Sequence, residues 1–196
     1  MAKGSNDVIL RDRLQFDIDA VGATALVYGR IDLSDYVSIV ENKGLAVKEI
    51  RFMLRDQTSS VGNWPALLID PVAPGATGLE IANVKVFATT TAYELVTDVG
   101  TASPNVLCVY TQNQTGVFQG TSGQSIMRLD EWFGTPDLHP EGYDVVTDLL
   151  IGIACSGLTS TTLAGNTCEL DIMIIAEPKK ITQKDLTQML TQAQDL

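Results

Sequence analysis

Apolar and polar positions alternate at period two along several short stretches of this chain, the signature of strands with one buried face. Residues 14–20 (LQFDIDA) place Leu14, Phe16, Ile18 and Ala20 on one side and Gln15, Asp17 and Asp19 on the other. Residues 23–31 are rich in β-type side chains and follow Gly22, so the two stretches predict a hairpin. Residues 46–55 (AVKEIRFMLR) set Ile50, Phe52 and Leu54 against Glu49, Arg51 and Arg55. Further strands are expected at 66–69, 79–89, 106–111, 125–129, 144–155 and 168–176. Loops rich in Gly, Pro, Ser, Thr and Asn separate them at 56–65, 70–78, 112–124, 134–143 and 156–167.

Two segments change period. Ser34 as N-cap and Asn42-Lys43-Gly44 as a stop predict a short helix near 34–42. At the other end Pro178 closes the last strand, and Thr182 with Asp185 makes a capping signature. Leu186, Met189, Leu190 and Ala193 then recur at helical spacing, which predicts a C-terminal amphipathic helix. A helix of about 14 residues is marginal alone in water. These four residues are therefore expected to contact protein, either their own sandwich or a neighbouring copy. The pattern predicts an all-β chain: an antiparallel β-sandwich, a single jelly roll of about eight strands. Residues 1–196 form one domain on this reading, with an N-terminal arm at 1–13 and a helical tail at 178–196.

Composition narrows the function. With 45% apolar and 19% charged residues, the chain has the makings of a folded core. No apolar run approaches the roughly 20 residues of a transmembrane helix, and no secretory leader is expected. The net charge of −11 argues against a general nucleic-acid binder. The nearest cationic group is Arg11 and Arg13 with Lys3, a modestly basic arm that could face something anionic. Cys108, Cys155 and Cys168 each sit in an apolar run without CxxC spacing. They read as small buried hydrophobes, with a single disulfide and one odd thiol as the alternative.

Candidate chemistry is sparse. His139 is the sole histidine, which removes most hydrolytic and metal chemistries, and no cofactor is expected. Asp137, His139, Glu141 and Asp144 could ligate a cation from the loop GTPDLHPEGYD, yet Pro136, Pro140 and Gly142 also make it a turn cluster. The carboxylate pairs Asp17/Asp19, Asp32/Asp35 and Asp130/Glu131 sit as solvated or interface faces would. Gly116, Gly120 and Gly123 lack the Lys-Ser/Thr of a phosphate loop. Asn113-Gln114-Thr115 fits the glycosylation triplet by chance frequency. Trp64 and Trp132 adjoin loops and could stack on a sugar or anchor a loop or subunit contact.

Three segments carry a family likeness: RIDLSDYVSIVENKGLAVKEIRFMLRD (30–56), GTPDLHPEGY (134–143), and the ending DLLIGIACSG with CELDIMIIAEPKKITQKDLTQML. Together they resemble single-jelly-roll major capsid (coat) proteins of icosahedral, non-tailed DNA viruses of bacteria or archaea. The resemblance implies a non-enzymatic virion protein, assembled in the host cytoplasm from copies of itself, with other capsid proteins as further partners. It implies capsomers and an icosahedral shell. It carries no catalytic residue over. The acidic balance departs from shells that bind their genome directly, so no direct nucleic-acid contact is expected. A carbohydrate-binding β-sandwich module, using Trp64 or Trp132 and a loop cation, is the alternative.

Overall fold

The computed structural model describes residues 6–70, 77–120, 123–134 and 141–192, without the side chains at 186, 188–190 and 192. The strands are β1 (Val8–Asp17), β2 (Thr24–Ile31), β3 (Lys43–Asp56), β4 (Thr77–Thr89), β5 (Val106–Gln119), β6 (Gln124–Phe133), β7 (Tyr143–Val145), β8 (Leu149–Ser156) and β9 (Thr167–Lys180). A 3-10 turn spans Val96–Asp98, and helix α1 spans Gln183–Gln192. The strands form two antiparallel sheets in the orders β1-β9-β3-β7 and β2-β8-β4-β5-β6, a β-sandwich. The pairing is nested: β1 with β9, β2 with β8, β3 with β7, and β4 with β5.

The core lies between the sheets because the alternating apolar positions of each point inward. Ile50, Leu54, Leu170, Ile172 and Ile174 come from the four-stranded sheet; Val84, Val86, Ile151 and Ile153 come from the five-stranded one. A bulge between Val47 and Glu49 leaves Lys48 out of the β3–β9 register, and its ammonium reaches Asp7 and Glu177, both at 2.7 Å. Several of the described elements differ from the sequence expectation.

The turn at Gly22 makes no hairpin. β1 pairs with β9 and β2 with β8, so the chain crosses from one sheet to the other there. The Asp19 carboxylate accepts from the backbone N–H of Val21 and Ala23 at 3.0 and 2.8 Å, and Gly22 at φ +77° lies against the Leu158 backbone, where any Cβ would clash. β1 begins at Val8, so residues 8–13 of the expected arm are strand, in register with Ala176 to Asp171 of β9.

No helix forms at 34–42. Asp32 accepts from the Ser34 N–H at 2.9 Å, Leu33 O accepts from Tyr36 and Val37, and a Ser38–Lys43 bridge closes a second turn with Asn42 at φ +54°. Aspartate and serine here bond the local backbone in non-helical form, and the following Val-Ser-Ile-Val run disfavours helix. Residues 66–69 are not a strand either. Leu68 O accepts from Ser160 N at 3.0 Å, and the N–H of Ile69 goes to the Gln114 side chain at 3.1 Å.

The expected strand 144–155 is two strands in opposite sheets, β7 and β8, broken at 146–148. Pro178 does not end β9, which continues to Lys180 against β3. β1 has stopped by then, its last partner on this side being Ala176, so β9 is an edge on that flank and an absent N–H is tolerated.

Gly152 of β8 lies beneath the ring of Phe87, where a Cβ would fall 2.2 Å from a ring carbon. Phe87 is fully buried and meets Tyr28 edge-to-face at 5.8 Å. Gly152→Ala should therefore displace Phe87 and lower unfolding stability by about 1–3 kcal/mol, read by denaturant titration. Unchanged stability would show that Phe87 relaxes freely.

Candidate assembly surface

The outer face of the five-stranded sheet divides in two. Over Tyr28, Phe87 and Val109 lies the 90–105 segment, whose Tyr93, Val96 and Val99 close a second small core. Lys85 points outward from β4 beneath it and donates to the carbonyls of Val96, at 3.1 Å, and Val99. Burial lowers the pKa of this ammonium. Tyr28 ties the segment further, its hydroxyl donating to Tyr93 O and accepting from Tyr93 N.

Among the described residues the other half of this face has no such cover. Across β4, β5 and β6 the register aligns Leu79 with Val117 and Ser125, Ile81 with Thr115 and Met127, and Asn83 with Asn113 and Leu129. Leu79 is 61% exposed, Ile81 51%, Met127 68% and Leu129 51%. Contiguous exposed apolar side chains on a monomer mark a contact surface more often than solitary ones do. β6 borders this patch as the sheet's edge, and among the described residues no strand pairs with its far side.

The inward side of β5 and β6 is polar, a feature the sequence hid by resembling a loop. Gln112 and Gln114 are fully buried. Gln112 Oε1 accepts from Trp64 Nε1 at 3.1 Å, and Gln114 Oε1 accepts from the backbone of Leu68 and Ile69. Arg128 of β6 donates to Ala66 O at 3.0 Å and forms a forked pair with Asp130 at 2.9–3.1 Å. The 57–70 segment is thus fastened across one side of the sandwich. Trp132, inward-facing on β6, stacks on Phe52 at 5.7 Å and tilts against Tyr110 at 4.8 Å. This aromatic trio links the two sheets where β7 is only three residues long.

The four-stranded sheet presents an opposite character. Arg13 pairs with Asp171 at 2.5 Å and Glu169 at 3.4 Å, and Arg55 reaches the same two carboxylates. Gln15 and Gln57 also donate to Glu169, leaving it buried despite its outward position. Arg11 and Arg13, read as a basic arm, therefore stand on β1, with Arg13 neutralised. Arg11 lies opposite Met173 in a shallow groove of about 610 Å³ shared with Arg51 and Met53.

The residues singled out from sequence separate into unrelated tasks. Asp137 and His139 of the expected cation loop lie outside the described residues; Asp144 binds Lys179 at 2.6 Å, and Glu141 is exposed. Among the described residues no group of three or more metal-ligating side chains converges. Asp17 accepts from Thr167 at 2.5 Å, Asp19 and Asp32 hold turns, and Asp130 is clamped by Arg128. The Ser34 N–H holds the Asp32 carboxyl below the usual carboxylate range. Gly116 is inside β5, and Gly120 and Gly123 flank the β5–β6 turn. The side chains of Leu186, Met189 and Leu190, and all of Ala193, lie outside what the structure describes.

No model of a known protein family matches this chain, and no curated protein matches it.

Cys108, Cys155 and Cys168 are free and buried. Burial pushes the Cys108 and Cys168 thiols from 9.0 up to about 12. It also raises Tyr28, Tyr110 and Tyr143 above 10.0. The folded state thus holds these protons more tightly than the unfolded chain does. The stability tied to them is full below about pH 8.5 and falls as pH rises toward the folded values. A denaturation midpoint that declines between pH 9 and 12, with three thiols that label rapidly only after unfolding, is the expected result. A midpoint independent of alkaline pH would contradict it.

Proposed function

We propose that this chain is a jelly-roll coat subunit that assembles with copies of itself into capsomers and an icosahedral shell, a structural role without catalysis. The nested strand pairing carries the reading. Pairing β1·β9, β2·β8, β3·β7 and β4·β5 is what a long antiparallel ribbon gives when it winds around a core, with β6 added at one edge. Eight-stranded jelly rolls of this kind include viral capsid domains, lectins and cupins. The resemblance of the three sequence segments selects the first of these. The uncovered patch around Ile81 and Met127 supports it, since a subunit of a shell must bury surface against neighbours.

One further observation supports a protein-bound rather than a ligand-bound role. Trp64 and Trp132 are both engaged in packing, which weighs against the sugar-stacking alternative. No helix among the described residues is long and apolar enough to cross a membrane. Helix α1 follows β9 after two residues. On this reading its amphipathic sequence docks on protein, its own sandwich or a neighbouring copy, through Leu186, Met189, Leu190 and Ala193. The virion is the corresponding location, with direct genome contact disfavoured by the charge of −11.

Light scattering on size-separated protein, followed by electron microscopy, tests the proposal. A stable trimer, pentamer or closed particle is expected. Deleting residues 182–196 should impair assembly while circular dichroism keeps the β signal. A chain that stays monomeric at every concentration and binds a glycan array would overturn the coat reading in favour of the carbohydrate module.

A further inference from the structure

The edge strand β6 carries a charge pattern that is complementary to itself. Its inward row is Ile126, Arg128, Asp130 and Trp132; its outward row includes Met127, Leu129 and Glu131. We infer that β6 of one copy pairs antiparallel with β6 of a second copy about a two-fold axis through Leu129, joining two five-stranded sheets into one continuous sheet. The inference rests on the reading of the chain as a self-assembling subunit.

The register follows from charge and pleat. A two-fold axis perpendicular to a sheet sets each residue opposite one on the same face, so the axis must pass through a residue position. Centred on Leu129, it places Arg128 opposite Asp130 of the second copy, twice, and Ile126 opposite Trp132, twice. Leu129 meets its own copy. Centred on Arg128 or Asp130, it would instead set like charge against like charge, which is destabilising for directly opposed residues. In the isolated chain Arg128 and Asp130 satisfy each other along the strand, so the pairing exchanges one ion pair for its equivalent across the axis. The apolar residues around Ile81 and Met127 then continue from one copy to the next on the outer face.

The other edges fit this role less well. β7 is three residues long, and β2 carries a register shift between Thr24 and Val27. β1 is disfavoured about its middle, where an axis through Arg11, Asp12 or Arg13 opposes like charges in each case. Edge strands are commonly blunted by these devices, and β6 is the long edge where the charges instead complement themselves.

Two experiments with independent readouts test the inference. Opposed residues of an antiparallel pair lie about 4.5–5.5 Å apart at Cα, within reach of a disulfide. Leu129→Cys should therefore give a reducible dimer under mild oxidation, whereas Met127→Cys, opposed to Glu131, should not. The native thiols are buried and do not compete. Separately, R128D and D130R should each weaken self-association by about tenfold or more, while an equimolar mixture of the two restores it. Cross-linking at 129 together with rescue in the mixture supports the pairing. An assembled protein that cross-links equally at both positions, fails to cross-link at 129, or shows no rescue overturns it and leaves the coat reading standing. A wild-type chain that is monomeric throughout overturns both.

Discussion

The four-stranded sheet depends on β9 lying between β1 and β3. Its fourteen residues match ten of β1 on one side and thirteen of β3 on the other, so most backbone groups of the four-stranded sheet are satisfied through this one strand. The same strand turns Leu170, Ile172 and Ile174 into the core and Glu169 and Asp171 outward to Arg13 and Arg55. Hydrophobic burial and the outer ion-pair network therefore share a backbone. Exposed ion pairs contribute little individually; here they serve mainly to hold long side chains over Glu169.

The outer faces of the sandwich are unlike, and the difference has a physical logic. On the four-stranded sheet, arginines and carboxylates interleave across strands, giving a face that water can solvate without a partner. On the five-stranded sheet, part of the apolar surface is covered by the 90–105 segment, held by Lys85 and Tyr28. The uncovered remainder runs to the β6 edge. A sandwich built this way exposes a contiguous apolar patch on one face, while on the other the exposed Ile9 and Met53 are set among arginines and carboxylates.

Much of the fold could be read in the alternation of residues such as Phe16 and Ile18, or Ile50 and Leu54, because one solvated face leaves a clean period-two signal. The failures occur where local chemistry mimics another structure. Ser34 resembles an N-cap, but Asp32 takes its N–H into a turn. Gly22 resembles a hairpin turn, yet it serves a crossover whose partners lie more than a hundred residues away. The run 111–116 (TQNQTG) reads as loop because its buried positions are glutamines, which have no apolar signature. Their function, holding the 57–70 segment, exists only once the sheets face each other. The patch on β4 and β6 was partly legible as apolar residues. Its exposure was not, because Leu79 and Ile81 outward look no different in sequence from Val84 and Val86 inward.

The strand order also sets a timetable during synthesis. Every strand of the five-stranded sheet has been synthesised once Ser156 has been made. The four-stranded sheet cannot close until residues 167–180 emerge, since β1 and β3 meet only through β9. In the interval the inward faces of β1 and β3 lack their shared neighbour. The nascent chain therefore passes through a stage with half a sandwich formed and a sticky slot the width of one strand. That slot accepts any extended segment of matching pattern, including β9 from another chain, so crowding among nascent copies favours strand exchange.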